Sequence, residues 1–174
     1  RDPAQWIGAE IARVKAEGVN KVIVLSHLGV TGDIALAGAV SGIDLIVGGH
    51  SHTLFSNTDP EAPYRYPLMV TGPDGVSVPI VQAEAYSKYL GHITLTFDDA
   101  GTVTAATGDT RLLDASVTPD PAILARIKEL SGPIEELKGR KVAEIATGLD
   151  GSRETCRVEE CSMGDIVADA MLDR

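Results

Sequence analysis

Residues 21–52 read KVIVLSHLGVTGDIALAGAVSGIDLIVGGHSH, and the order of residue types in this stretch decides the fold class. Lys21 to Ser26 is a β-branched apolar run with the character of a buried strand. Thr31 to Val40 carries Leu36, Ala37 and Val40 at helical spacing, and Gly42 supplies a stop. Asp44 to Val47 is a second apolar strand. Strand, helix and strand in this order make a β-α-β unit, whose strands are expected to be parallel neighbours with a right-handed crossover. Neither strand alternates polar with apolar residues, as expected where helices cover the sheet.

Outward from this unit the pattern continues in both directions. Before it, Ala4 to Glu17 places Trp6, Ile7, Ile11 and Val14 at helical spacing, with Gly18 as the stop. After it, residues 56–66 are rich in Pro, Asn and Asp and are expected to form a surface loop. Strands are expected at Leu68 to Thr71 and Val78 to Ala83. A hairpin should follow, with Ile93 to Phe97, a turn at residues 98–101, and a return over Thr102 to Ala106. Hairpin spacing implies antiparallel pairing, so the fold class is mixed α/β with α+β character.

Thr118-Pro119-Asp120-Pro121 ends the strands and opens a helix expected to reach about Leu137, with an interruption near Gly132-Pro133. Its apolar positions Ile123, Ile127, Leu130 and Ile134 should pack inward. Lys141 to Ala146 has strand character. A last helix begins at Met163, with Ser162 as N-cap and Asp165 completing a capping box. Residues 1–118, 119–138 and 139–174 are thus expected to be a first domain, a linker helix and an incomplete second domain.

Composition narrows the classes. The chain has 174 residues, is 44% hydrophobic and only 4% aromatic, and carries a formal net charge of −10. Such a chain can bury a core, and its charge disfavours a nucleic acid polymer as partner. No stretch approaches the roughly 20 apolar residues that span a bilayer. The sequence opens at Arg1-Asp2-Pro3 and runs straight into a helical pattern without a signal-peptide stretch, and its abrupt ends are those expected of an excised piece, whose upstream address information would be lost. Cys156 and Cys161 are the two cysteines. A disulfide across so short a loop would contribute roughly 2 kcal/mol in the chain-entropy model. Reduced thiols or half of a zinc site are the alternatives, although no second Cys pair exists to complete a Cys-rich site. The disulfide is favoured, and with it an oxidising compartment.

The chemistry concentrates at three of the four histidines. His50 and His52 follow Gly48-Gly49 at the carboxyl end of a strand, where open α/β sheets bind ligands. In an extended segment, residues at i and i+2 share one face. The β-α-β reading brings His27 to the same edge, one strand away. Three converging imidazoles make a candidate metal site. The plainer alternative is that each histidine caps its strand. His92, alternating with Thr94 and Thr96, belongs to the polar face of a strand. Asp33 and Asp44 read as a first-turn helix residue and a strand-entry residue.

Four segments together, VIVLSHLG (22–29), GIDLIVGGHSHT (42–53), PIVQAEAYSKYLG (79–91) and CRVEECSMGDIVADAM (156–171), resemble the 5′-nucleotidases of the calcineurin-like metallophosphoesterases. Their ecto-5′-nucleotidase branch is the nearest likeness. The resemblance implies half of a four-layer α/β/β/α sandwich, followed by a linker helix and the start of a substrate-binding domain. It implies two divalent metal ions (Zn, Mn or Co), with His27, His50 and His52 among the ligands. The remaining motifs, including the catalytic His, are absent from this sequence, so no catalytic residue is assigned and the isolated chain is expected to be inactive. A disulfide Cys156–Cys161 is implied, with Arg157 inside it contacting substrate phosphate. Asp165 stands where family members usually carry Asn. The linker helix matches a bridge about which the family's domains rotate.

The implied activity of the intact protein is metal-dependent hydrolysis of nucleoside 5′-monophosphates, in a secreted, periplasmic or cell-surface setting. Two rivals stand beside it. One is a related enzyme acting on cyclic nucleotides, nucleotide sugars or sulfur esters. The other is a non-catalytic binding module. Exposed strand edges would also lead the chain to self-associate, or to retain a missing segment through nicking.

Overall fold

The computed structural model describes residues 2–141 and 143–173, and the chain divides into two compact units, Arg1–Thr118 and Pro119–Arg174. In the first unit, Asp2 caps helix α1 (Pro3–Ala16) by accepting from the Ala4 N–H at 3.0 Å, and Pro3 occupies the position where a missing N–H costs nothing. Strand β1 (Ile23–Leu25), helix α2 (Gly29–Ala39) and strand β2 (Leu45–Val47) form the expected β-α-β unit. β1 and β2 run parallel with Ile23, Val24 and Leu25 opposite Leu45, Ile46 and Val47.

β3 (Leu68–Thr71) and β4 (Ser77–Val81) complete a mixed sheet in the order β1-β2-β4-β3. They pair antiparallel with each other, as their hairpin spacing requires, while β4 lies parallel to β2 through Ile80 and Val81. Pro79 is tolerated within β4 because the ladder to β2 begins one residue later, at Ile80. The second sheet is the hairpin β5 (Tyr89–Phe97) and β6 (Val103–Leu112), longer than its sequence signal. Asp98 sets the turn, accepting the Thr102 N–H at 2.8 Å.

One core holds the unit together. Ile11, Leu36, Ala37, Val40, Ile43 and the strand residues Leu45, Ile46, Val78, Ile80 and Val81 are buried, joined by Phe55 and Tyr66 from the intervening loop. Leu45 and Ile46 point to opposite faces yet both are buried, so β2 is covered on both sides. Ile93 and Leu95 of β5 pack against the same core, whereas His92 is exposed, as the strand alternation predicts.

The expectation of a buried first strand is corrected: β1 is an edge strand, with Ile23 56% and Leu25 81% exposed. Trp6 is likewise on the outside of α1.

In the second unit, α3 (Pro121–Gly139) is capped by Asp120 and runs without interruption through Pro133. None of its residues is buried, so Ile123, Ile127, Leu130 and Ile134 form an exposed stripe rather than an inward one. The strand expected over 141–146 does not form at residues 141 and 143–146, and Val142 lies outside the described residues. An isolated strand without a partner gains no ladder hydrogen bonds. Two short helices follow, α4 (Arg153–Cys156) and α5 (Ser162–Leu172). The N-cap of α5 is Cys161, not Ser162, because the Ser162 hydroxyl is engaged at 2.8 Å by the Asp150 N–H. Among the described residues, no helix is long and apolar enough to cross a membrane.

Candidate functional site

Three parallel strands end on one edge of the mixed sheet. The Ser26 N–H donates to the Val47 carbonyl at 2.9 Å, and the Gly48 N–H to the Val81 carbonyl at 2.8 Å. The ladders thus extend one residue past β1 and β2, so the loops after β1, β2 and β4 leave the sheet side by side. This is where a ligand site is expected in such a sheet.

His27 and His50 meet here. Their ring centroids are 5.1 Å apart with an interplanar angle of 69°. Both residues are exposed. Gly49 permits the approach: a Cβ there would stand 3.2 Å from His27 Nδ1 and 3.4 Å from the Ser26 carbonyl.

His52 does not join them in a single cluster. Its ring packs edge-on against Tyr86, with centroids 5.4 Å apart and an interplanar angle of 74°. The sharing of one face at i and i+2 presumes extended backbone, and here His50 and His52 have φ of 70° and 53°. Histidine tolerates the left-handed region better than bulky residues do. Two successive departures from the strand conformation nevertheless re-aim both rings.

Beneath the rings lies a polar network that the sequence reading did not foresee. Gln82, 3% exposed, spans the whole histidine loop. Its Oε1 accepts from the Thr53 N–H at 2.6 Å and from the Ser51 hydroxyl at 3.0 Å, while its Nε2 donates to the Gly49 carbonyl at 3.3 Å. Ser51 in turn accepts from the Val30 N–H at 3.1 Å, tying the loop to the first turn of α2. The signal was present in the sequence as a lone amide closing the apolar run PIV.

Asp33, fully buried, supports the neighbouring loop. Ser26 Oγ donates a short hydrogen bond to Asp33 Oδ1 and accepts from the Leu28 N–H at 3.1 Å, so the carboxyl fixes both flanks of His27. Among the described residues Asp33 Oδ2 has no hydrogen-bond partner, and a Cβ at residue 48 would collide with it. Burial pushes the Asp33 carboxyl above the ordinary aspartate value, against a smaller opposing pull from the Ser26 hydroxyl. Asp33 is therefore more than a first-turn helix residue. Asp44 behaves as expected of a strand-entry residue, accepting from the Val22 N–H at 2.6 Å.

Among the described residues, no group of three His, Cys, Asp or Glu side chains is gathered to hold a metal ion. The His27–His50 pair fits a share of such a site, since imidazole is a good ligand for zinc and its neighbours. Two ligands fall short of the three protein ligands typical of catalytic zinc.

In the second unit, Cys156 and Cys161 form the disulfide, with Cα atoms 5.2 Å apart. The strap is pinned at its base, where the Met163 N–H donates to the Asp150 carbonyl at 3.0 Å. Arg157 is the C-cap of α4, its N–H directed to the Arg153 and Thr155 carbonyls. Its side chain is exposed, and among the described residues no hydrogen bond or ion pair engages the guanidinium.

No protein-family model matches the chain. The human 5′-nucleotidase is 39% identical over 168 residues, covering 94% of this chain and 29% of its own length. The snake venom 5′-nucleotidase of Naja atra is 36% identical over 176 residues, covering 99% of this chain and 33% of its own. Among solved structures, the 5′-nucleotidase precursor of Thermus thermophilus superposes with a TM-score of 0.77 at 33% identity, over 99% of this chain and 35% of that one. The chain thus spans about a third of the length of the relatives it matches. With likeness of both sequence and fold running through the histidine loops and the disulfide strap, the chain matches a segment of the 5′-nucleotidase family.

Proposed function

We propose that the parent protein hydrolyses nucleoside 5′-monophosphates to nucleoside and phosphate in a metal-dependent reaction, and that this chain alone is inactive. The observation that carries the reading is the His27–His50 pair at the carboxyl edge of the sheet, within a segment matched by 5′-nucleotidases over nearly its whole length. His27 and His50 would hold metal, with His52 a further ligand from the same loop. Two divalent ions (Zn, Mn or Co) would neutralise phosphate charge and lower the pKa of a bound water. Even with His52, three imidazoles supply too few ligands for that pair of ions, which supports inactivity of the chain by itself.

Arg157 would bind the substrate phosphate. Its support is an exposed guanidinium, free of ion pairs among the described residues, on a short strap braced by a disulfide. A planar guanidinium binds phosphate oxygens in bidentate fashion. The domain assignment follows the same reading: residues 1–118 the second half of the metal domain, 119–138 a bridging helix, 139–174 the start of the substrate domain. An oxidising compartment (secreted, periplasmic or cell-surface) is supported by the disulfide and by the venom relative.

The test is phosphate release from AMP with added Mn²⁺, Co²⁺ or Zn²⁺, comparing this chain with a protein of its relatives' full length. Activity in the longer protein alone, abolished by His50→Ala, is the expected result. A longer protein inert on AMP and on cyclic, sugar-linked and sulfur esters would leave a binding module as the function.

A further inference from the structure

Among the described residues, five non-glycine residues adopt left-handed backbone: His50, His52, Glu84, Tyr86 and Ser87. All five lie on the loops that follow β2 and β4, adjacent strands of one sheet edge. Histidine enters this region with some ease, but for a bulky residue such as Tyr it is an outlier that surrounding structure must hold in place. Tyr86 gains little from burial in return, being 86% exposed. Among the described residues its hydroxyl makes no hydrogen bond. Its one ring partner is the imidazole of His52.

The loop is built to maintain that contact. The Glu84 N–H donates to the Thr53 carbonyl at 3.1 Å, and the Phe55 N–H to the Gln82 carbonyl at 3.2 Å, so residues 82–84 are laced to residues 53–55 beside His52. The isolated bridge between Leu54 and Ala83 belongs to the same lacing. On the far side, Lys88 Nζ reaches Glu84 Oε1 at 3.2 Å and closes the loop on itself. Tyr86 is presented from a short, cross-braced arch whose base is fixed to the histidine loop.

We propose that Tyr86 is a positioning residue, holding the His52 imidazole in one orientation at this edge of the sheet. The role rests on the reading of His52 as a metal ligand, because a ring fixed before binding loses less freedom when it coordinates. An edge-on aromatic contact restrains the imidazole through its ring and leaves both nitrogens unbonded. That arrangement suits a ligand and does not suit a histidine whose task is to cap a strand.

Two measurements separate the proposal from the reading beneath it. In the metal-free chain, NMR couplings should report one His52 χ1 rotamer in the wild type and in Tyr86→Phe, and rotamer averaging in Tyr86→Leu. In the full-length parent, competition titration with Zn²⁺ should show Tyr86→Leu weakened on the order of tenfold, the scale of lost outer-shell support. Tyr86→Phe should bind within about twofold of wild type, as expected if the ring and not the hydroxyl acts. A single His52 rotamer in Tyr86→Leu overturns the proposal, as does averaging with undiminished Zn²⁺ affinity in a parent whose His52 resonances Zn²⁺ does perturb. If the ring averages in Tyr86→Leu but Zn²⁺ perturbs His52 in no protein, Tyr86 still positions His52 and the metal assignment falls instead.

Discussion

Replacing Gln82 by Leu would test whether the buried amide, and not the glycine-rich sequence alone, shapes the histidine loop. Leu is close to Gln in volume, so packing changes little, and the loss falls on hydrogen bonds. Three contacts disappear, and they are unequal. The Ser51 hydroxyl is exposed and can turn to water. The Gly49 carbonyl is half-buried and was bonded at 3.3 Å, so its loss is small. The Thr53 N–H is half-buried and gives up a 2.6 Å bond, leaving a donor without an acceptor. Stranding such a group costs about 1–3 kcal/mol, so the change is expected to total about 2–3 kcal/mol.

The damage should be local. Amide hydrogen exchange at Thr53 is expected to accelerate on the order of 10- to 100-fold, as an opening energy lowered by about 1.4–2.7 kcal/mol implies. Amides in α3, in the other unit, should exchange as before. Gln82→Glu refines the test, since it keeps the acceptor and replaces the donor. Its carboxyl must stay protonated to bond the Gly49 carbonyl, so its folded pKa is raised. The variant's stability is therefore fully present below about pH 4 and is lost as pH rises through the folded value. If Gln82→Leu leaves Thr53 exchange and the His50 and His52 resonances unchanged, the network does not hold the loop and the reasoning fails.

Asp33→Asn should relieve a pH-dependent cost. The buried Asp33 carboxyl titrates above its unfolded value, so the unfolded chain ionises first as pH rises and native stability falls over that window. The Asn variant lacks this fall, so its melting temperature relative to wild type should be more favourable at pH 7 than at pH 3.5. A difference independent of pH would show that Asp33 does not titrate in this range. The exposed edge strand carries a second expectation. With Ile23 and Leu25 open to solvent, the isolated chain should self-associate in light scattering, and Leu25→Lys should suppress it. A clean monomer for the unsubstituted chain would refute this.

Much of this architecture was legible because a few residues left little choice. IVL and LIV, separated by a helix-length segment between glycines, admit few arrangements other than parallel neighbours. Once Leu25 faces Val47, His27 and His50 must emerge at the same edge. What stayed illegible depended on contacts distant in sequence. Nothing local to PIV places β4 beside β2, and without that placement Gln82 cannot be seen to reach Gly49, Ser51 and Thr53. The inward stripe assigned to α3 used helical periodicity, which reports amphipathicity but cannot say what covers the apolar side. Periodicity at Ile23 and Leu25 likewise registered apolar character without revealing an edge strand.

The instructive case is His52. Extended backbone would put it on one face with His50, whereas both residues have left-handed φ. That conformation costs roughly 1–2 kcal/mol per residue, a large share of the few kcal/mol that any one loop can contribute. Surrounding bonds must offset the cost, and here they are identifiable: the Gln82 amide from below, Ser51 to the start of α2, and the lacing of residues 82–84 to 53–55. A loop whose only task was to connect β2 to the next element would relax into less strained turns, with glycine at the left-handed positions. Histidines occupy those positions instead, in a loop held by this network, and both residues are exposed. Strain retained by so many independent contacts is a reason to regard the orientation of these rings, and not merely their presence, as what the local sequence specifies.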